Sequence, residues 1–76
     1  PTMSERTYIS PIYGNLYENK NGSVFRCVSF CYDGDHSAMM RRVSDGWTIL
    51  CHGIQQYPDG KIEWDYSTGG HWCGKA

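Results

Sequence analysis

The sequence predicts a small all-β domain, a five-stranded antiparallel meander rolled into a small barrel. Three observations carry that expectation. Short apolar runs alternate with polar residues at period two, glycine-containing turns separate them, and no segment sustains a helical period. The clearest alternation is Lys61 to Tyr66, with Ile62, Trp64 and Tyr66 on one face and Lys61, Glu63 and Asp65 on the other. Asn21-Gly22, Asp45-Gly46 and Pro58-Asp59-Gly60 are the turn signals, where glycine accepts a positive φ. Closure into a barrel would remove sheet edges that otherwise invite aggregation.

In chain order, Pro1-Thr2 ahead of Met3 reads as a vector remnant, with Met3 the natural start. One domain is expected over residues 3–76. Its first stretch, 3–11, carries no period and reads as a partly ordered tail, with Pro11 biasing Ser10 toward extended backbone. Ile12 to Tyr17 alternates Ile12, Gly14 and Leu16 with Tyr13, Asn15 and Tyr17, which predicts a first strand weakened at Gly14. Ser23 to Tyr32 is rich in aromatic and β-branched residues and predicts the longest strand. Neither of its faces is plainly polar, so it is expected to bend and bury one face at each end.

Asp33-Gly34-Asp35-His36 forms the next turn. Ser37 to Val43 contains residues that favour helix locally and is compatible with a helical turn, but its shortness between two turns favours a strand. Trp47 to Cys51 is another strand. Gly53 marks a bend, and Ile54 to Tyr57 continues beyond it. After Lys61 to Tyr66, Ser67-Thr68-Gly69-Gly70 reads as a loop, His71-Trp72-Cys73 as a short closing strand, and Gly74-Lys75-Ala76 as a loose tail.

Composition narrows the functional classes. A chain of 76 residues buries about 60% of its unfolded surface, so its core is small. Six tyrosines, three tryptophans and two phenylalanines supply much of that core, at ~150–250 Å² per ring. Seven basic against eight acidic residues leave a net charge of −1, which argues against nucleic acid as the partner. No apolar run reaches the ~18–20 residues that cross a bilayer, and no signal-peptide core is present. A cytoplasmic protein without a membrane partner is therefore expected, and in that compartment disulfides are uncommon.

Four chemistries deserve weighing against these residues. For zinc, Cys27, Cys31, Cys51, His52, His71 and Cys73 are numerous enough but badly spaced. On a strand, Cys27 and Cys31 stand about 13 Å apart and cannot share an ion. Buried small hydrophobes are the commoner role for such cysteines, and no metal or other cofactor is expected. For nucleophilic catalysis, Cys51 and His52 are strand neighbours and face opposite ways, so they form no dyad. The aspartates sit in turns, where they bond their own backbone, and no catalytic residues are assigned. For phosphate, Ser67 to His71 offers small residues and backbone N–H groups, with Arg41 and Arg42 the adjacent basic pair. The fourth chemistry is the strongest. So small a core cannot hide every ring, and tyrosine, tryptophan and arginine dominate binding hot spots. Tyr13, Tyr17, Arg41, Arg42, His71 and Trp72 are the candidate binding residues.

The strings GNLYENKNGSVFRC, SDGWT, HGIQQYPDGKIEW and YSTGGHW resemble small uncharacterised proteins of Firmicute bacteria and their mobile elements. The same turn glycines and core aromatics resemble, more loosely, SH3-like small β-barrels. That resemblance implies an SH3-like five-stranded barrel binding peptide or nucleic acid. The acidic loop and Ala-Leu-Tyr-Asp-Tyr motif of SH3 domains do not occur, so their ligand-binding residues do not transfer. The expectation is a non-enzymatic module that binds a protein partner, in the mobile-element case an inhibitor of a host or defence protein. A phosphate or nucleotide binder using Ser67 to Trp72 with Arg41 and Arg42 is the alternative, and a zinc-stabilised structural protein is the third class.

Overall fold

The computed structural model describes residues 5–32 and 34–73. The expected start at Met3, the turn acid Asp33 and the tail Gly74-Lys75-Ala76 lie outside the described residues. Within them the protein is all-β and contains no helix. Its strands are β1 (Thr7–Tyr8), β2 (Leu16–Glu18), β3 (Val24–Cys27), β4 (Ala38–Arg42), β5 (Trp47–His52), β6 (Gln55–Gln56), β7 (Ile62–Glu63) and β8 (Tyr66–Trp72).

Two antiparallel sheets result. β2-β3-β4-β5-β8 form a five-stranded sheet, and β1-β6-β7 form a three-stranded one. After crossing from β1 to β2, the chain passes between them twice more. It leaves β5 for β6 at Gly53, and β7 for β8 at Trp64-Asp65. The first bend depends on glycine: φ is +69°, and a Cβ there would run into the Asp65 carboxylate. Asp65 ties the bend together, accepting from Gln55 Nε2 at 2.5 Å and from the Tyr8 hydroxyl at 3.1 Å. A parallel bridge between Asn19 and Ile62 joins the far edge of the large sheet to the small one. The sheets nevertheless do not close into a barrel.

The core lies between the sheets. Alternate residues of three neighbouring strands face inward: Phe25 and Cys27, Ala38 and Met40, Ile49 and Cys51. Ile54 and Ile62 meet them from the other layer, and Trp64 sets its ring edge-on to Phe25 at 5.3 Å. Met40, Ile54 and Ile62 are fully buried.

Several expectations change. Residues 3–11 are not merely a tail, because Thr7–Tyr8 pair with β6 and Pro11 is buried. The expected first strand begins four residues late, since the chain turns at Tyr13-Gly14 and Asn15 N–H donates back to the Ile12 carbonyl. Ser23 to Tyr32 does not bend across the fold. β3 stops at Cys27, and Phe30 and Tyr32 emerge exposed, which accounts for the apolar character of both its faces. Ser37 to Val43 is a strand, as expected. The regular alternation at Lys61 to Tyr66 spans a bend, so Ile62 is buried, Trp64 half-buried and Tyr66 exposed. Ser67 to Gly70, expected as a loop, lies inside the longest strand of the fold.

Candidate binding surface

β8 is the edge of the large sheet, and all seven of its residues, Tyr66-Ser67-Thr68-Gly69-Gly70-His71-Trp72, are exposed. One side pairs with β5, from His52↔Tyr66 to Trp47↔Trp72. No strand covers the other side among the described residues. The pairing slips between Thr48 and Leu50, so that Gly69-Gly70 bulges opposite Ile49. Gly70 is required there: its φ is +143°, and a Cβ would stand 2.5 Å from the Trp47 ring. Trp47 thus lies over the bulge and meets Trp72 with ring centroids 4.8 Å apart.

Residues directly opposite in an antiparallel pair share a face, so the register defines rows across the sheet. Leu16, Arg26, Arg41, Thr48 and His71 form one row on the outward face. Arg26 and Arg41 are therefore side by side, a like-charge juxtaposition that costs stability unless an anion approaches. Arg26 donates to the Gly14 carbonyl at 2.7 Å. Arg41 donates through Nε to Thr48 Oγ1 at 3.1 Å and through Nη2 to Cys73 Sγ at 3.0 Å. Neither has a carboxylate within ion-pair distance among the described residues. A cleft of about 430 Å³ opens between these side chains and the Val43 to Gly46 turn.

Arg42 differs from its neighbour. Its Nε and Nη2 grip the Asp45 carboxylate at 2.9 and 2.7 Å, and Asp45 also accepts from Trp47 N–H. That grip holds the Asp45 carboxyl below its ordinary range, with desolvation opposing and the Trp47 hydrogen bond assisting. Arg42 is committed to the turn that launches β5.

The candidate residues from the sequence thus divide into two groups. Arg41, His71 and Trp72 gather at the β5/β8 end, and Arg42 backs them from the turn. Tyr13 and Tyr17 lie by β2, at the opposite edge and about 19 Å away across four strand spacings. Tyr13 stacks on Phe30 at 4.6 Å and is exposed. Tyr17 turns inward against the core, and its hydroxyl accepts from Ile12 N–H at 2.9 Å, so its ring is not a free surface. Leu16 takes the outward position instead.

Tyr66, Arg26 and Cys73 join the surface without having been singled out for it. Tyr66 stacks on His52 at 4.5 Å, and His52 bridges Ser37 Oγ and Thr68 Oγ1 through its two ring nitrogens. Arg26 could be recognised only from its register opposite Arg41. Cys73 follows Trp72 and lies 3.3 Å from His71 Nε2. No group of three or more histidines, cysteines and carboxylates is placed to hold a metal ion among the described residues. No helix there is long and apolar enough to cross a membrane. The chain matches no known protein family, no curated protein and no solved structure.

Proposed function

We propose that the protein is a non-enzymatic binding module that takes an extended segment of a partner protein along β8 as an added strand. The observation that carries this reading is the seven-residue exposed edge, free of charged side chains and of proline, with Tyr66 at one end and Trp72 at the other. Such an edge offers a row of backbone donors and acceptors to an incoming strand, while pockets and rings beside it select side chains. Trp72 supplies a large, rigid anchor already propped on Trp47. Arg26 and Arg41 favour a partner that brings a carboxylate to the neighbouring outward face.

The two antiparallel sheets, linked by the bridge between Asn19 and Ile62, support reading the fold as an open relative of SH3-like barrels. The partner proposed for this edge is a cytoplasmic host or defence protein, which the module would inhibit. The deciding experiment is affinity capture from the native host with the wild type, Trp72→Ala and Tyr66→Ala. A protein retained by the wild type and lost by both variants, each with an unchanged unfolding transition, supports the edge. Equal capture by all three sinks it.

The arginine pair favours a second reading, a phosphate or carboxylate ligand held in the Arg26/Arg41 cleft. The Ser67 to Gly70 stretch contributes less to it than its composition suggests, because half of its backbone groups point into the β5 ladder. A rise in melting temperature with a member of a nucleotide panel, absent in Arg26→Met, is the expected sign.

A further inference from the structure

The thiols of this chain occupy contrasting settings. Cys27 and Cys51 are fully buried, and burial raises both, pushing Cys51 up to about 12. Cys31 donates to the Asp35 carbonyl at 3.0 Å, and burial followed by the Asp35 charge raises it as well. Cys73 is partly exposed and faces nitrogen instead, with Arg41 Nη2 at 3.0 Å and His71 Nε2 at 3.3 Å. Arg41 is held in place for this contact by Thr48, a buried hydroxyl that itself donates to the Gly46 carbonyl at 3.0 Å. Gly46 also anchors the thiol's own backbone, accepting from Cys73 N–H at 3.1 Å. Three elements thus converge on one sulfur: β4 brings a permanent cation, the end of β8 brings an imidazole, and the β4–β5 turn fixes the distance between them.

We propose that Cys73 is a modification site, a nucleophilic thiol that forms mixed disulfides with low-molecular-weight disulfides carrying carboxylates. A partly exposed thiol held between an arginine and a histidine has a cation and a proton acceptor in place beside its sulfur. The proton passes from Cys73 Sγ to His71 Nε2, leaving the anion facing Arg41. The anion attacks one sulfur of the incoming disulfide. A new bond joins that sulfur to Cys73, the original S–S bond breaks, and the departing thiolate takes the proton back from His71. One thiol and one disulfide are consumed, and one thiol and one mixed disulfide are formed, so no further oxidant is needed. Arg26 is the cross-strand neighbour of Arg41, but its guanidinium turns to the Gly14 carbonyl, so Arg41 is the cation that meets the co-reactant's carboxylates.

The test is to incubate the folded full chain with glutathione disulfide and locate the adducts by peptide mass spectrometry. Cys73 should react at least about threefold faster than Cys31, with Cys27 and Cys51 unmodified until denaturant is added. His71→Gln and Arg41→Met should each slow Cys73 while leaving the Cys31 rate unchanged. Arg41→Lys, which keeps the charge, should retain most of the wild-type rate. The Cys31 rate reports within each sample whether the fold survives. A wild-type Cys73 no faster than Cys31, or wild-type Cys73 rates in both His71→Gln and Arg41→Met, would overturn the proposal. Cystamine, the cationic disulfide of cysteamine, should react more slowly than glutathione disulfide, and equal rates would overturn the preference for carboxylates.

Discussion

At one edge of the large sheet β2 runs for three residues and ends on Glu18, whose carboxylate lies 3.9 Å from Lys61 Nζ. At the other edge β8 runs for seven residues without a charged side chain. The chain after β2 is further tied to the small sheet, with Asn19 bridged to Ile62 and Lys20 N–H donating to the Ile62 carbonyl at 3.1 Å. Nothing comparable covers β8 among the described residues. Proteins ordinarily blunt an edge by shortening it, charging it or covering it. β2 shows all three devices and β8 shows none, and an edge left open in a fold that protects its opposite edge is where an interaction surface is expected.

The largest effect should come from detaching β8 while sparing β2. Gly70→Ala forces a Cβ against the Trp47 ring at a φ that side chains rarely adopt, and should destabilise by about 1–3 kcal/mol in denaturant titration. Hydrogen exchange would show whether the loss is local. Amides of β8 and Trp47 should lose protection first, and equal loss in β2 and β3 would erase the distinction between the edges.

A smaller effect tests the turn behind β8. Arg42 holds Asp45 below its ordinary value near 3.8, so the fold favours the ionised carboxylate. The stabilisation is present in full above that value and is lost as pH falls through the lower folded-state value. Melting temperature followed from pH 6 down to acid should therefore fall less steeply in Asp45→Asn than in the wild type. Identical slopes would mean that the turn does not depend on the pair.

The smallest effect belongs to β2's charge. Lys61 and Glu18 are both well exposed, and Lys61→Ala should cost below about 1 kcal/mol by equilibrium unfolding. A larger loss would show that β2 is secured by that pair rather than by the Asn19 bridge.

The strand content and the turns were legible because both are local. Asp45-Gly46 and Pro58-Asp59-Gly60 break the chain where their own backbone preferences demand, and Trp47 to Cys51 alternates at the period its pleat requires. Misreadings arose where a local pattern crosses a distant constraint. Ile62, Trp64 and Tyr66 alternate without fault, yet the chain changes sheets between Trp64 and Tyr66, so one residue is core and another is surface. Gly69-Gly70 has the composition of a loop, but β5 supplies a hydrogen-bonding partner and turns it into a bulged strand. Tyr17 and Leu16 exchange their expected faces because Tyr17 pairs with the inward Phe25.

The candidate site was legible in residue types and illegible in grouping. Arg41, His71 and Trp72 stood out by residue type as candidates. The neighbours that define their chemistry, Arg26, Thr48 and Cys73, stand as far as 32 positions away in the chain.

By itself, then, the sequence determined an all-β chain, the places where it turns and the supply of aromatic and arginine side chains, because periodicity and turn propensity act over a few residues. The tertiary structure decided that β8 is the open edge, that Arg41 meets a thiol while Arg42 meets a carboxylate, and that the tyrosines by β2 stand apart from Trp72. Those outcomes depend on register between strands remote in sequence, which is set by whichever pairing buries Phe25, Met40, Ile49 and Ile62 together.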